Sequence, residues 1–139
     1  MVASPRRSAL VTGSTGGLGY AVAESLAAAG HDIVLHGIDD LEKVEPARIA
    51  MQTRYGVTVT YCRADLSDLA SVERLMSFAR ETCNGPDIVV NNAVVRHFAP
   101  IEEFSAADWQ LQSTSISPRR FISFGWHCRE CVPQISAAS

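Results

Sequence analysis

Thr12-Gly13-Ser14-Thr15-Gly16-Gly17-Leu18-Gly19 decides how the rest of the chain is to be read. The apolar run Ser8 to Thr12 comes before it and reads as a first strand. A helical stretch follows as far as Ala29, in which Leu18, Val22, Leu26 and Ala29 recur at helical spacing and predict one buried stripe. Gly30 stands where a left-handed cap would end that helix. Glycines in this strand-turn-helix setting have a chemical reading. Gly13 permits a tight turn at the strand end, while Gly17 and Gly19 remove side chains that would keep a ligand or the sheet away from the backbone. The helix N-terminus then offers amide donors to a pyrophosphate. The alternative is a tight strand-to-helix turn that binds nothing.

Working outward, strand and helix patterns alternate. Asp32 to Leu35 reads as the second strand. Leu41 to Tyr55 reads as a weaker helix, because Pro46 must lie near its start or break it. Val57 to Tyr61 alternates and is β-branched, which predicts the third strand. Ser67 or Asp68 can cap the next helix, where Val72, Leu75, Met76 and Ala79 fall at helical spacing. Gly85-Pro86 punctuates the chain before Ile88-Val89-Val90, a compact buried strand. Four strands with intervening helices predict a doubly wound α/β fold, a parallel sheet covered on both faces. Ser105 and Asp108 have capping-box spacing and predict a helix from about Ala106 that carries Trp109. Beyond Leu111 the periodicity fades. Residues 1–111 are therefore read as one nucleotide-binding domain and 112–139 as a divergent tail.

Composition narrows the function. The 139 residues are 47% hydrophobic and 19% charged, as expected for one globular domain. Twelve basic against fifteen acidic side chains leave a net charge of -3, which offers no broad positive field for nucleic acid or an anionic membrane. No run has the length of a membrane span, and the apolar stretch after Arg6-Arg7 is too short for a signal-peptide core. The cytoplasm is the expected location. Cys128 and Cys131 form a Cys-x-x-Cys beside His127, but no second pair completes a zinc site. They read as incidental thiols, and no metal is expected.

The loop lacks the Gly-Lys-Ser/Thr of a nucleoside-triphosphatase, so a dinucleotide suits it better. Asp39, after the second strand, can face a ribose diol. His36 to Asp40 contains no Arg or Lys to receive an extra 2′-phosphate, and this favours NAD over NADP. Asp65, after the third strand, can accept from an adenine amino group while Leu66 offers an apolar contact; the alternative is a capping carboxylate. Asn91-Asn92-Ala93, after the fourth strand, can bridge neighbouring strand ends beneath a nucleoside, or be a simple turn.

Together, the glycine loop, Ala64-Asp65-Leu66 and Asn91-Asn92-Ala93 resemble the short-chain dehydrogenase/reductase family over about Ser8 to Trp109. Val34-Leu35-His36-Gly37 and the stretch from Asn91 to Phe104 look most like its D-3-hydroxybutyrate dehydrogenases, which pass a hydride between NAD and C3 of 3-hydroxybutyrate or acetoacetate. The resemblance implies the N-terminal half of a Rossmann-like fold. It implies a cofactor site at Gly13, Ser14, Thr15, Gly17, Leu18, Gly19, Asp65, Leu66, Asn91 and Ala93. Arg96 and His97 are the substrate-site candidates. Complete family members are usually homotetramers.

Several positions depart from that pattern. Val94 replaces the glycine that usually follows Asn-Asn-Ala. Arg96 stands in place of a substrate-contacting glutamine, which changes length and charge. Ile116, or Ser115 with a one-residue shift, occupies the position of an asparagine that supports a proton relay. The family's serine and its Tyr-x-x-x-Lys have no counterpart: the tyrosines are Tyr20, Tyr55 and Tyr61, and the only lysine is Lys43. The expectation is a truncated or frame-disrupted relative without catalytic residues, inactive alone and doubtful in assembly. A non-catalytic dinucleotide-binding or interaction module is the alternative.

Overall fold

A computed structural model describes residues 6–94, 102, 105–107 and 110. Seven elements alternate: β1 (Ser8–Val11), α1 (Gly17–Ala28), β2 (Asp32–Gly37), α2 (Leu41–Tyr55), β3 (Val59–Arg63), α3 (Leu69–Cys83) and β4 (Ile88–Val90). The four strands form one sheet in the order β3-β2-β1-β4, and every pairing is parallel. The chain moves outward from β1 to β3, then returns past β1 to β4. Right-handed crossovers place the helices of the outward run on one face and the returning helix α3 on the other. The reversal falls beside β1, and the crevice at the carboxyl ends of β1 and β4 is where an open α/β sheet receives ligands.

Strand alternation divides the core in two. Ala9, Val11, Ile33, Leu35 and Val59 pack with Ala23 and Ala27 of α1 and Met51 of α2. Leu10 and Val34 point to the opposite face and are equally buried, as are Leu75 and Ala79 of α3.

Helix ends follow their cap chemistry. Gly30 takes φ +88°, with its N–H donating to Ala27 O at 2.9 Å and that of His31 to Leu26 O at 3.1 Å, a Schellman ending. Asp68 rather than Ser67 caps α3, accepting from the Ser71 amide at 3.0 Å.

Four expectations are corrected. The buried stripe of α1 is Gly19, Ala23 and Ala27, whereas Leu18 is 73% exposed and Ala29 is exposed. Small residues let the helix lie close on the sheet, and Val22 and Leu26 flank that contact. Second, β2 runs two residues further, through His36 and Gly37, and β3 begins two residues later, at Val59. The ladder from Ile33↔Val59 to Gly37↔Arg63 fixes both ends. Third, α2 passes through Pro46 in its second turn without a break. Fourth, Ile88-Val89-Val90 is not fully buried, and Val89 is 39% exposed.

The chain divides into two compact units, Met1–Ala93 and Val94–Ser139. In the second, Ala106, Ala107 and Gln110 are helical, where the capping-box spacing places a helix. Trp109, Arg96, His97, Ser115, Ile116, the Cys-x-x-Cys and the 111/112 boundary lie outside the described residues.

Candidate functional site

The glycine loop leaves β1 at the reversal point and is held from the two neighbouring strands, β4 and β2. Two of its glycines are needed for close approach. Gly13 has φ +63°, and a Cβ there would lie 2.9 Å from Ala93 Cα. A Cβ on Gly19 would collide with the Gly13 carbonyl and the Asn92 amide group. From the β4 side, Asn92 Nδ2 donates to Thr12 O at 3.1 Å and Gly13 O at 3.0 Å. The amides of Asn92 and Ala93 both donate to Thr12 Oγ1 at 3.0 Å. The strand-bridging role read for Asn91-Asn92-Ala93 therefore belongs to Asn92, which the cofactor set omitted, while Asn91 is exposed.

From the β2 side the clamp is His36. Its Nδ1 accepts from the Gly13 amide at 3.1 Å, and its Nε2 lies 3.0 Å from Ala64 O. An amide can only donate, so Nδ1 is unprotonated and Nε2 carries the proton to Ala64. Burial holds the His36 pKa below its ordinary value, against the opposing bond to Ala64. The backbone of His36 also engages the loop: its carbonyl accepts from Ser14 N at 2.8 Å and its amide donates to Ser14 Oγ at 3.0 Å. Ser14 Oγ in turn donates to Val11 O at 2.7 Å. Ser14, a cofactor candidate, thus spends its amide and hydroxyl on Val11 of β1 and His36 of β2.

Thr15 turns its hydroxyl to Asp39 Oδ2, 2.9 Å away, and Lys43 Nζ reaches Asp39 Oδ1 at 2.6 Å. The Lys43 bond, then the Thr15 bond, hold the Asp39 carboxyl below its usual range, and Lys43 is raised in return. Tyr61 donates to Asp39 O at 2.6 Å, and Arg63 pairs with Asp40. The end of β2 therefore gathers two cations as well as two carboxylates. Reading His36 to Asp40 alone missed Lys43, one turn into α2, and Arg63, which the β2–β3 register delivers.

Asp65 sits at the end of β3, exposed. Its Oδ1 accepts from the Ser67 amide at 2.9 Å and hydroxyl at 2.7 Å, which lowers its pKa. Leu66 is half-buried beside it.

No side chain caps α1, and its first turn has no acidic residue. A helix N-terminus without a capping oxygen suits an anion's oxygens. Gly17, at φ +57°, has nothing within 4 Å of where a Cβ would stand, and Leu18 is exposed next to it. Loop, open backbone and uncapped helix fit the phosphates of a dinucleotide. Among the described residues no group of three or more His, Cys, Asp or Glu is placed to hold a metal, and no helix is long and apolar enough to cross a membrane.

Residues 7–133 match the model of the short chain dehydrogenase family. The chain belongs to this family. Over 103 residues it is 43% identical to D-beta-hydroxybutyrate dehydrogenase of Cupriavidus necator, an alignment covering 74% of this chain and 39% of that protein. The enzyme of the same name from Rhizobium meliloti is 33% identical over 103 residues, with 74% and 40% covered. The chain thus spans about two fifths of the length of these relatives. Among solved structures, L-sorbose reductase from Gluconobacter frateurii, complexed with NADPH and L-sorbose, superposes with a TM-score of 0.68. It is 30% identical, with 76% of this chain and 40% of that one covered. An alcohol dehydrogenase from Thermococcus sibiricus, complexed with 5-hydroxy-NADP, also gives 0.68, at 29% identity, with 77% and 45% covered. The fold is that of the nucleotide-binding part of these oxidoreductases.

Proposed function

We propose that these residues form the dinucleotide-binding half of an NAD-dependent 3-hydroxybutyrate dehydrogenase-like oxidoreductase. The observation that carries the reading is the uncapped N-terminus of α1 beneath a loop whose Gly13 and Gly19 admit no side chain. Gly13 to Gly19 would face the pyrophosphate, Asp39 the ribose diol of the adenosine, and Asp65 with Leu66 the adenine. Asp65 Oδ1 is held by Ser67, so Oδ2 is the oxygen left to accept from the adenine amino group. Bound NAD supplies the hydride-accepting nicotinamide; the chain's own part is to bind and orient it.

NAD is favoured over NADP because the 2′-phosphate would meet Asp39. Lys43 and Arg63 are present, but each is already paired with a carboxylate. The substrate class rests on the likeness to the two hydroxybutyrate dehydrogenases and on Arg96, whose guanidinium suits a carboxylate.

Catalysis by these residues alone is not expected. An acid-base group commonly contributes about a hundredfold to ten-thousandfold, and none of the three tyrosines lies beyond β3. His36 cannot substitute, because both of its ring nitrogens are engaged. The test has two arms. Calorimetric titration should show NAD binding at least as tightly as NADP. Direct product measurement with NADH and acetoacetate should show no multiple turnover. Clear NADP preference overturns the cofactor assignment, and turnover that survives removal of contaminating enzyme overturns the inactivity.

A further inference from the structure

His36 does something that the dinucleotide reading leaves unexplained. It is 2% exposed, yet it is polar and lies in a central strand of the sheet. A buried imidazole is tolerable only if its nitrogens are satisfied, and here one accepts while the other donates. The two partners lie on different parts of the proposed site. Gly13 opens the phosphate-facing loop, and Ala64 comes just before Asp65 and Leu66 on the adenine side. The two segments are 51 residues apart in sequence and are joined through one side chain.

Resting on the dinucleotide reading, we infer that His36 is a positioning residue whose Nε2–H tautomer locks the Gly13 loop to the Ala64-Asp65 segment and so sets dinucleotide affinity. Backbone bonds from His36 to Ser14, and from the Ala64 amide to Gly37 O at 3.0 Å, already bring these segments near each other. They do not orient the Gly13 peptide. The ring does, because its Nδ1 holds the Gly13 N–H inward. At the opposite end of that residue, the Gly13 carbonyl accepts from Asn92. Gly13 is thus gripped at both ends, and the amides that follow it are aimed before any ligand arrives. Such preorganisation reduces the ordering cost of binding.

Two substitutions separate the two ring nitrogens. His36→Asn can place its carbonyl oxygen near the position of Nδ1 and keep the Gly13 bond. His36→Gln extends one atom further and can keep only the Ala64 bond. Amide hydrogen exchange at Gly13, the ¹⁵N signature of the ring and NAD titration are then measured on the same proteins. The expected results are an unprotonated Nδ1 in the wild-type chain and Gly13 protection retained in His36→Asn but lost in His36→Gln. NAD affinity should fall severalfold in His36→Asn, which severs the link to Ala64, and roughly tenfold in His36→Gln, which frees the Gly13 peptide, each the scale of one lost hydrogen bond. A protonated Nδ1, or equal Gly13 protection in the two variants, overturns the bridge. Equal NAD affinity of His36→Gln and wild type overturns its role in binding. A wild-type chain with an intact bridge and no NAD binding overturns the dinucleotide reading, and with it the role assigned to the bridge.

Discussion

Replacing Gly19 by alanine tests the tightest contact in the fold. The added methyl would enter the space of the Gly13 carbonyl and the Asn92 amide group. A carbonyl in a clamped loop cannot move as a side-chain end can, so α1 must lift or Asn92 must withdraw. Forcing an extra methyl into packed surroundings costs about 1–3 kcal/mol. Withdrawal of Asn92 gives up two hydrogen bonds, at about 1 kcal/mol each. Against this, alanine gains less than about 1 kcal/mol over glycine so close to a helix end. The net loss is about 2–4 kcal/mol. With a slope of about 2 kcal/mol/M, the urea midpoint should fall by roughly 1–2 M. Gly16→Ala is the internal control, because its backbone is extended at φ −172° and nothing lies within 4 Å of the new methyl. It should change stability by no more than about 0.5 kcal/mol. Urea unfolding followed by far-UV circular dichroism measures both. Equal midpoints for the two variants would refute the close-contact account of α1.

Three further outcomes are expected. Asp39→Ser should raise NADP affinity severalfold relative to NAD, because Lys43 and Arg63 would then face the 2′-phosphate with one carboxylate fewer; an unchanged ratio by calorimetry would count against Asp39 as the selectivity residue. The pKa of His36 is lowered in the fold, so its contribution to stability is complete above the ordinary imidazole value of 6.5 and is lost as pH falls below it. Urea midpoints at pH 7.5 and 5.5 should fall on acidification in the wild type and much less in His36→Asn; equal slopes would contradict the neutral ring. Asp68→Ala should lower the thermal midpoint by a few degrees through loss of the α3 cap, and Asp68→Ser should restore most of it.

The elements and their order were legible because their signals are local. Gly13 to Gly19 sit between a strand and a helix, Gly30 ends α1, and Asp68 caps α3. What escaped is non-local. The buried face of α1 is set by how closely Gly19, Ala23 and Ala27 let it approach the sheet, which outweighs the larger side chain of Leu18. The ends of β2 and β3 depend on mutual register, and that register delivers Arg63 to Asp40 and Ala64 to His36. Neither meeting is visible in sequence spacing. Ending the second strand at Leu35 leaves His36 just outside it; within the buried strand its two nitrogens demand partners. Asn92 was passed over in favour of its neighbours because alternation along the strand end, not residue type, selects which amide turns inward.

The central claim is that a dinucleotide's phosphates sit on the glycine loop at the N-terminus of α1. The most direct measurement is the backbone amide spectrum of ¹⁵N-labelled chain titrated with NAD. The account predicts the largest shifts at the amides from Gly13 to Gly19, smaller ones at Asp65 and Leu66, and none along the C-terminal half of α2, around Gln52 to Tyr55. Saturable shifts centred elsewhere, with Gly13 to Gly19 unmoved, would contradict it.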